Sequence, residues 1–366
     1  RKAKTKQNKL QDNPIFGSFE TIVEGWYWVL KSKELKAGQV KPIKVMGREL
    51  IVYRGKEDGV VRIMDAYCLH MGAHLAEGRV EGNSIRCFFH HWKFSEEGKL
   101  TDIPCQKNPI KAQLKTWPAA EKYGMIWVWT GKSPRHPVPY VPEIGQESGD
   151  TRLGNQFVKG CHPNIVMVNA IDEQHFHSVH PLASSLADGL HFEISEYNEN
   201  CLLFDNSNKV PQSNLITRLM SRFYENALCY RMVYWNGSTG SVTVGPDFFH
   251  FHIIFALRPN DDGTASGQTI LITKKRHGFV GKIVNFFALM LSEIVGNYFA
   301  KGDTQVFQTI RWDFKNPIKA DRAIMAFMQH LQRQKTVLWG CWDPVDVSTG
   351  KSDSWGHSSE MDEVAS

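Results

Sequence analysis

Two short cysteine and histidine motifs constrain this chain more than any other feature. Cys68-Leu69-His70 is followed, after sixteen residues, by Cys87-Phe88-Phe89-His90. Two thiolates and two imidazoles can hold a two-iron, two-sulfur cluster, with both cysteines on one iron and both histidines on the other. The same four ligands can also close a structural zinc site. Gly72 after the first motif, and the run from His91 to Phe94 after the second, could cover a cluster, which favours iron and sulfur.

A second group of candidate ligands lies about eighty residues further on. Asp172, His175 and His180 follow one another with the spacing Asp-x2-His-x4-His. The histidine pair alone is weak evidence, because fifteen histidines make such a pair common by chance. Two histidines and a carboxylate do, however, form one face of an open mononuclear iron site. The position of this group downstream of the first motifs is what gives it weight.

Composition predicts two packed globular units for a chain of 366 residues with 42% hydrophobic and 22% charged residues. The net charge of +5 is modest, so we expect no nucleic-acid partner. Part of that charge forms a basic N-terminal arm, predicted to be solvated: Arg1, Lys2, Lys4, Lys6 and Lys9. Seven cysteines, two of them in metal-ligand spacing, argue against a disulfide framework and favour a reducing, cytoplasmic compartment.

The most apolar segment runs from Ile283 to Ala300. Asn285, Ser292, Glu293 and Asn297 interrupt it. This pattern predicts a buried helix rather than a membrane span. Contact with the membrane interface is the less favoured alternative. No apolar leader is visible at the beginning of the chain, although the first residue is not Met.

The region from Gly25 to about Pro139 predicts a small antiparallel β domain, because runs rich in Val, Ile, Tyr and Trp alternate with turn sequences. The predicted strands are Trp26–Leu30, Ile43–Met46, Leu50–Arg54, Val60–Tyr67, Ser84–Phe89 and Tyr123–Thr130. A proline-rich stretch over residues 133–142 then predicts a linker.

Beyond the linker the pattern is mixed. Ile165–Val168 looks like a strand and is followed by helical periodicity up to His180. Further strands are predicted at 200–204, 229–234, 240–244, 248–257 and 269–273, and helices at 282–310 and 319–334. We therefore predict an α+β fold, in which a curved antiparallel sheet is capped by helices, one of them carrying the histidine pair. The predicted domains are residues 25–140 and 141–345, with 1–24 packing as an N-terminal arm and 346–366 as a polar tail.

The cysteine and histidine motifs resemble the cluster-binding motif of Rieske proteins, and the two-domain layout resembles the catalytic (alpha) subunit of the Rieske non-haem iron oxygenases. By position, the resemblance assigns Cys68 and Cys87 to one iron of the cluster. His70 and His90 are assigned to the other iron. His91, beside the motif, is not a ligand in this alignment.

The run Asn-x2-Asp-x2-His-x4-His resembles the iron-binding helix of the same family. His175 and His180 match its two histidine ligands, and Asp172 matches the carboxylate that links the iron to a Rieske histidine of the neighbouring subunit. The resemblance favours Asp303 as the third ligand, because it lies on the helical segment where the family places that carboxylate. Asp313 and Asp321 are alternative carboxylate ligands. Asn169 is predicted to donate a hydrogen bond near the iron, and His177 to pack or to form hydrogen bonds around the site.

The resemblance implies a terminal oxygenase. Electrons from NAD(P)H would come through a ferredoxin or a flavin/iron-sulfur reductase, since the chain has no glycine-rich dinucleotide fingerprint. They would pass through the cluster to a mononuclear Fe(II) that activates O2. A head-to-tail homotrimer, in which His90 of one subunit meets Asp172 of the next, is implied as well.

The motif details look most like the ketosteroid hydroxylase and cholesterol desaturase branch, which implies hydroxylation of a hydrophobic, steroid-like or polycyclic substrate. Glu173 is a departure from that branch. Five apolar residues are candidates either for the pocket wall or for the core: Met167, Phe176, Leu215, Phe251 and Phe287. Three other functions stay open here: an aromatic-ring cis-dihydroxylating dioxygenase, a Rieske electron carrier without oxygenase activity, and a zinc-stabilised binding module.

Overall fold

The computed structural model describes residues 21–147, 149–180, 190–209, 215–247 and 249–339. The predicted basic arm and the predicted polar tail lie outside these residues. The part of the chain that is described consists mostly of antiparallel sheets with five helices. The predicted α+β class is therefore confirmed.

Three small sheets form the N-terminal unit. The strands are β2 (Trp26–Lys31), β3 (Val40–Val45), β4 (Arg48–Arg54), β5 (Val61–Asp65), β6 (Arg79–Glu81), β7 (Ser84–Arg86), β8 (Lys93–Phe94), β9 (Leu100–Asp102), β10 (Thr116–Trp117), β11 (Ala119–Lys122) and β12 (Met125–Trp129). The strand orders in the three sheets are β10-β5-β4-β3, β11-β12-β2 and β6-β7-β8-β9. β1 (Thr21–Val23) precedes them and pairs with the last strand of the chain, β20 (Thr336–Leu338).

The second unit is built on one seven-stranded antiparallel sheet of order β13-β19-β18-β17-β16-β15-β14. Its strands are β13 (Asp150–Lys159), β14 (Glu193–Asn198), β15 (Cys201–Lys209), β16 (Asn226–Trp235), β17 (Thr239–Gly245), β18 (Phe251–Pro259) and β19 (Ala265–Thr273). The helices are α1 (Pro163–Ala170), α2 (His175–Val179), α3 (Leu215–Met220), α4 (Gly278–Thr309) and α5 (Arg322–Arg333). One face of the sheet packs against α1 and α5 around Phe204, Tyr234 and Phe327, which are fully buried.

Tryptophan side chains join the two units. Trp26, Trp28, Trp127 and Trp129 on β2 and β12 pack in one cluster with apolar residues of β18 and β19. The predicted linker takes part in this contact. Val138 and Val141 are buried in the same cluster, so the linker lacks regular structure and yet is held in place.

The strand predicted at Ile165–Val168 is wrong, because these residues lie in α1. Their β-branched side chains suggest a strand, but the local signals for a helix prevail. His162 accepts a hydrogen bond from the Asn164 N–H at 3.1 Å, and Pro163 occupies the first turn, where a missing N–H has no cost.

The end of the described chain returns to the N-terminal unit. Trp339 is fully buried in the core that contains Trp117 and Val45, and its indole N–H donates to the Val45 carbonyl at 2.7 Å. Arg48 donates to the Trp339 carbonyl at 2.9 Å and pairs with Asp65. Residues 336–339 thus pack against the N-terminal unit although they belong to the predicted range 141–345. The predicted domain bounds stay a prediction.

Helix α4 is not the buried helix that the sequence predicts. By length and composition it could cross a membrane, and 22% of its most apolar eighteen-residue window is buried. Phe279, Phe286 and Phe287 expose 80%, 58% and 55% of their surface. The helix lies on β13, β18 and β19 and presents most of its large apolar side chains outward.

Replacing Trp339 by Ala should lower the free energy of unfolding by about 3–5 kcal/mol, because a large buried ring and its hydrogen bond are lost from the N-terminal core. Leu338→Ala is the matched control, since Leu338 is exposed in the neighbouring position. Guanidinium unfolding followed by circular dichroism measures both. Equal effects of the two substitutions would contradict the assignment of Trp339 to that core.

Candidate active site

Two tight loops present the four predicted cluster ligands. In the first, the Cys68 N–H donates to the Ala73 carbonyl at 2.9 Å, and Gly72 has the positive φ of 74° that such a turn requires. In the second, the Cys87 N–H donates to the Trp92 carbonyl at 2.9 Å. The predicted strand Ser84–Phe89 therefore ends at Arg86, because the chain turns at Cys87.

The four side chains converge, with the two cysteines buried and the two histidines exposed. Cys68 and Cys87 are buried and lie within hydrogen-bond contact of each other, while His70 and His90 are exposed. The Nδ1 atoms of the two histidines are 3.1 Å apart, close enough to bind one metal ion. Burial raises the pKa of the Cys68 thiol to about 11, so a metal must displace its proton. This donor set fits a cluster with a sulfur-ligated inner iron and an imidazole-ligated outer iron.

Asp172 accepts hydrogen bonds at the start of α2 with both its side-chain carboxylate and its backbone carbonyl. Its carboxylate accepts hydrogen bonds from the N–H of Gln174 at 2.9 Å and of His175 at 3.4 Å, which fixes the first turn. Its backbone carbonyl, 2.8 Å from His175 Nδ1, accepts the imidazole proton. That bond leaves the lone pair of His175 on Nε2, where a metal would bind.

Helix α4 carries the third predicted ligand to the same place. Asp303 Oδ1 lies 3.1 Å from His180 Nε2 and 3.7 Å from His175 Nε2. This oxygen is buried, and among the described residues it has no hydrogen-bond donor. An uncompensated buried carboxylate oxygen is costly, and a cation held between the three side chains would satisfy it. Asn169 Nδ2 lies 3.4 Å from His175 Nε2, in the predicted position beside the site.

The alternative carboxylates serve other purposes. Asp313 is exposed and pairs with Lys315. Asp321 accepts hydrogen bonds from the Ile318 N–H at 2.8 Å and from the Gln174 side chain at 3.0 Å. Neither belongs to the group of potential ligands formed by His175, His180 and Asp303.

Glu173 has a structural explanation. Its carboxylate accepts a hydrogen bond from the Phe192 N–H at 2.9 Å and lies 3.4 Å from His191 Nδ1. It therefore ties α2 to the chain just before β14. The side chain of His177 lies outside the described residues.

Gly302 is a residue that the sequence analysis missed. A Cβ atom at this position would lie 3.0 Å from His180 Cε1 and 3.1 Å from Val179 Cγ1. Any larger side chain at this position would push His180 or Val179 away by a few tenths of an ångström, and Asp303 is the next residue. A glycine inside a long helix, directly before the candidate ligand, was the available signal.

A cavity of about 420 Å³ opens beside the three converging ligands. Met167 and Phe176 line it as predicted, but Leu215, Phe251 and Phe287 do not. Leu215 and Phe287 are exposed on helices, and Phe251 packs against the core. The apolar lining is Phe157, Val166, Met167, Ala170, Phe176, Leu190, Met232, Val242, Val244, Ile253, Phe255, Leu271, Ala300 and Phe307.

Polar side chains complete the wall of the cavity, and the sequence analysis did not identify them as lining residues. Lys159 Nζ donates to Thr304 Oγ1 at 3.3 Å, and burial lowers the pKa of its ammonium group. Tyr230 donates its phenol proton to the Ala170 carbonyl at 2.9 Å, and burial raises its pKa. Asn155 and Asn297 add amide groups to the lining.

Residues 25–118 match the family model of the Rieske [2Fe-2S] domain. The chain is 35% identical over 168 residues to a probable 3-ketosteroid-9-alpha-monooxygenase, oxygenase component, from Rhodococcus rhodochrous, covering 44% of this chain and 42% of that protein. It is 37% identical over 171 residues to cholesterol 7-desaturase nvd from Bombyx mori, covering 45% and 37%. The alignments thus span about two fifths of the length of these relatives.

Two solved structures share the fold. The terminal oxygenase of carbazole 1,9a-dioxygenase from Novosphingobium sp. KA1 superimposes with a TM-score of 0.66 at 17% identity, covering 91% of this chain and 98% of that one. NdmA QL mutant of Pseudomonas putida CBB5, with caffeine, gives 0.63 at 18% identity, covering 84% and 89%.

These matches identify residues 25–118 as a Rieske [2Fe-2S] domain. The N-terminal unit is the Rieske domain, and the rest of the chain has the fold of Rieske terminal oxygenases. The resemblance to the catalytic subunit of the Rieske non-haem iron oxygenases, and to steroid and sterol enzymes within it, is confirmed.

Gly302→Ala should weaken Fe(II) binding about tenfold, because the new methyl group displaces His180 from its position beside Asp303. The fold should not suffer, since Ala favours a helix more than Gly does. Gly296→Ala on the same helix is the control, as its Cβ would meet only Ile253 Cδ1 at 3.4 Å. Equal Fe(II) dissociation constants for the two variants would show that the close approach is irrelevant to the metal.

Proposed function

We propose that this chain is a terminal oxygenase component that hydroxylates a bulky, hydrophobic substrate of steroid-like or polycyclic type. One observation carries the proposal. His175, His180 and Asp303 converge on the wall of an apolar cavity of about 420 Å³ in a chain that has a Rieske domain.

The three converging residues would hold one iron on a single face and leave positions open for dioxygen and substrate. A ferrous ion bound there supplies the chemistry that activates O2. The chain's own residues keep this face in place: the Asp172 carbonyl orients His175, and Gly302 admits Asp303 beside His180. The apolar wall excludes water and binds the substrate by burial of its hydrocarbon surface.

The substrate class is supported by the cavity and by the relatives. A volume of about 420 Å³ lies in the range of sites that enclose drug-sized molecules. The relatives with 35% and 37% identity are named as a ketosteroid monooxygenase and a cholesterol desaturase. We infer that a fused-ring hydrocarbon fills most of the space, and that Asn155, Asn297 or Lys159 meets a polar group on it.

Electron supply is proposed to come from NAD(P)H through a ferredoxin or a flavin/iron-sulfur reductase. His70 and His90 are exposed, and the exposed side chains of Met71, Phe88 and Phe89 surround them, as a docking site for a redox partner requires. A solved neighbour is the carbazole-bound oxygenase of carbazole 1,9a-dioxygenase in complex with ferredoxin. The head-to-tail homotrimer, with His90 meeting Asp172 of the next subunit, belongs to the same proposal. So does a cytoplasmic location, which the free cysteines favour.

Metal analysis and an absorption spectrum test the cofactor content. The proposal requires about three irons per chain, two in the cluster and one at the mononuclear site, together with the red-brown colour of a Rieske centre. A colourless protein containing zinc would support the binding module instead. Turnover of a steroid and polycyclic panel under labelled dioxygen, with a reductase and NAD(P)H, tests the activity. One labelled oxygen in the product is expected, and two would indicate a ring dihydroxylase.

Asp303→Ala should reduce the iron content from about three to about two atoms per chain, because the mononuclear site loses the carboxylate that converges with the two histidines while the cluster remains. Asp313→Ala is the control, since that exposed carboxylate lies ten residues further along the chain and pairs with Lys315. Iron analysis and the cluster spectrum measure the outcome. Retention of the third iron would refute Asp303 as a ligand.

Asp172→Asn separates the proposed electron bridge from the structural roles of Asp172. Asn retains the hydrogen bonds to the start of α2, and the carbonyl that orients His175 is unchanged. Both metal centres should therefore be retained, while electron transfer from the reduced cluster to the iron slows about a hundredfold or more. Stopped-flow oxidation of the cluster is the measurement, and a wild-type rate would exclude the bridge.

A further inference from the structure

Helix α4 buries mainly small and polar side chains against the sheet and exposes its large apolar ones, which is the reverse of the usual arrangement. The stripe buried against the sheet contains Asn285, Ala288, Leu289 and Ser292, at the helical spacing i, i+3, i+4 and i+7. Three of these four are small or polar. The large apolar side chains of the same segment point the other way, whereas a helix of a soluble domain normally buries them.

The exposed apolar side chains form one continuous surface along the first half of α4, here called the outer face. Its members are Phe279, Val280, Ile283, Phe286, Phe287 and Leu291, together with neighbours on the same turns. Exposed apolar surface of this extent marks an interaction site.

Basic residues border the outer face. Lys274, Lys275 and Arg276 are exposed directly before α4, and Lys282 is exposed within it. Residues 274–292 contain no Asp or Glu. The next acidic residue, Glu293, already pairs with Arg152 at 3.1 Å. Apolar residues with a purely basic border match the surface of a bilayer that contains anionic lipids.

The orientation of α4 decides between crossing a membrane and lying on it. Asn285 Nδ2 donates to Asp150 Oδ2 at 2.6 Å, Leu289 packs with Ile253 and Leu271, and Asp303 reaches the iron site. The helix is thus fixed along the sheet over most of its length. It cannot leave the sheet to span a bilayer, but its outer face is free to enter the interface between headgroups and acyl chains.

We propose that α4 docks this protein on the surface of an anionic lipid bilayer. The opposite side of the same helix lines the cavity through Gly296 and Ala300 and carries Asp303. Docking therefore brings the helix that lines the cavity to the lipid, where apolar compounds accumulate. A second copy of the chain fits this surface less well, because residues 274–292 of that copy offer no acidic side chain that could pair with the basic border.

Flotation of the full-length, cluster-loaded protein with phosphatidylcholine vesicles, with and without phosphatidylglycerol, tests the proposal. Wild type should float with the anionic vesicles. Phe286→Gln/Phe287→Gln should reduce the partition coefficient about tenfold or more, because two half-exposed rings no longer enter the lipid. Val60→Gln/Val158→Gln is the matched control, since Val60, just before β5, and Val158, on β13, are exposed valines outside α4, and it should float as wild type does.

Lys274→Gln/Lys275→Gln should remove about tenfold of the preference for anionic vesicles and leave the cluster spectrum unchanged. Failure of wild type to float, or equal flotation of the phenylalanine and valine variants, would overturn the proposal. So would a lipid-free dimer, seen by sedimentation equilibrium, that dissociates in the phenylalanine variant, because the occupant would then be a second copy. Vesicle binding is read without turnover, so it is independent of the oxygenase proposal.

Discussion

The contact between α4 and α2 is the constraint on which the candidate iron site depends. Asp303 comes from a helix more than a hundred residues beyond the histidine pair, and Gly302, which presents no side chain at the point of closest approach, lets it lie 3.1 Å from His180 without displacing that ring. Hydrogen bonds hold α2 from other directions, through Glu173 to Phe192 and through Gln174 to Asp321. A five-residue helix has little stability of its own, so these anchors define the ligand geometry.

The parts of the site that are local in sequence could be predicted, and the parts created by tertiary packing could not. Cys68, His70, Cys87 and His90 lie in two short loops, so their spacing alone indicates a metal centre. The pairing of Asp303 with the histidines needed the family resemblance, since nothing in the chain relates positions so far apart. The lining from β13 was missed because this strand shows no clear alternation of apolar and polar residues.

Two expectations were wrong for different physical reasons. The β-branched run before Asn169 suggests a strand, but His162 and Pro163 start a helix there. The apolar content of Ile283–Ala300 suggests burial, but the sheet contacts the small and polar side chains of α4. Composition reports how much apolar surface a segment has. Which neighbour covers that surface depends on the tertiary fold.

The tryptophan contact between the two units has a consequence for the timing of catalysis. Trp26, Trp127 and Trp129 are packed against the central sheet, and the linker is buried with them. The two candidate metal sites of one chain are therefore held at a fixed separation, and no hinge would shorten the path between them. In the proposed oxygenase, the arrival of electrons would depend on encounters between molecules, whether with a reductant or between subunits, and not on motion inside the chain.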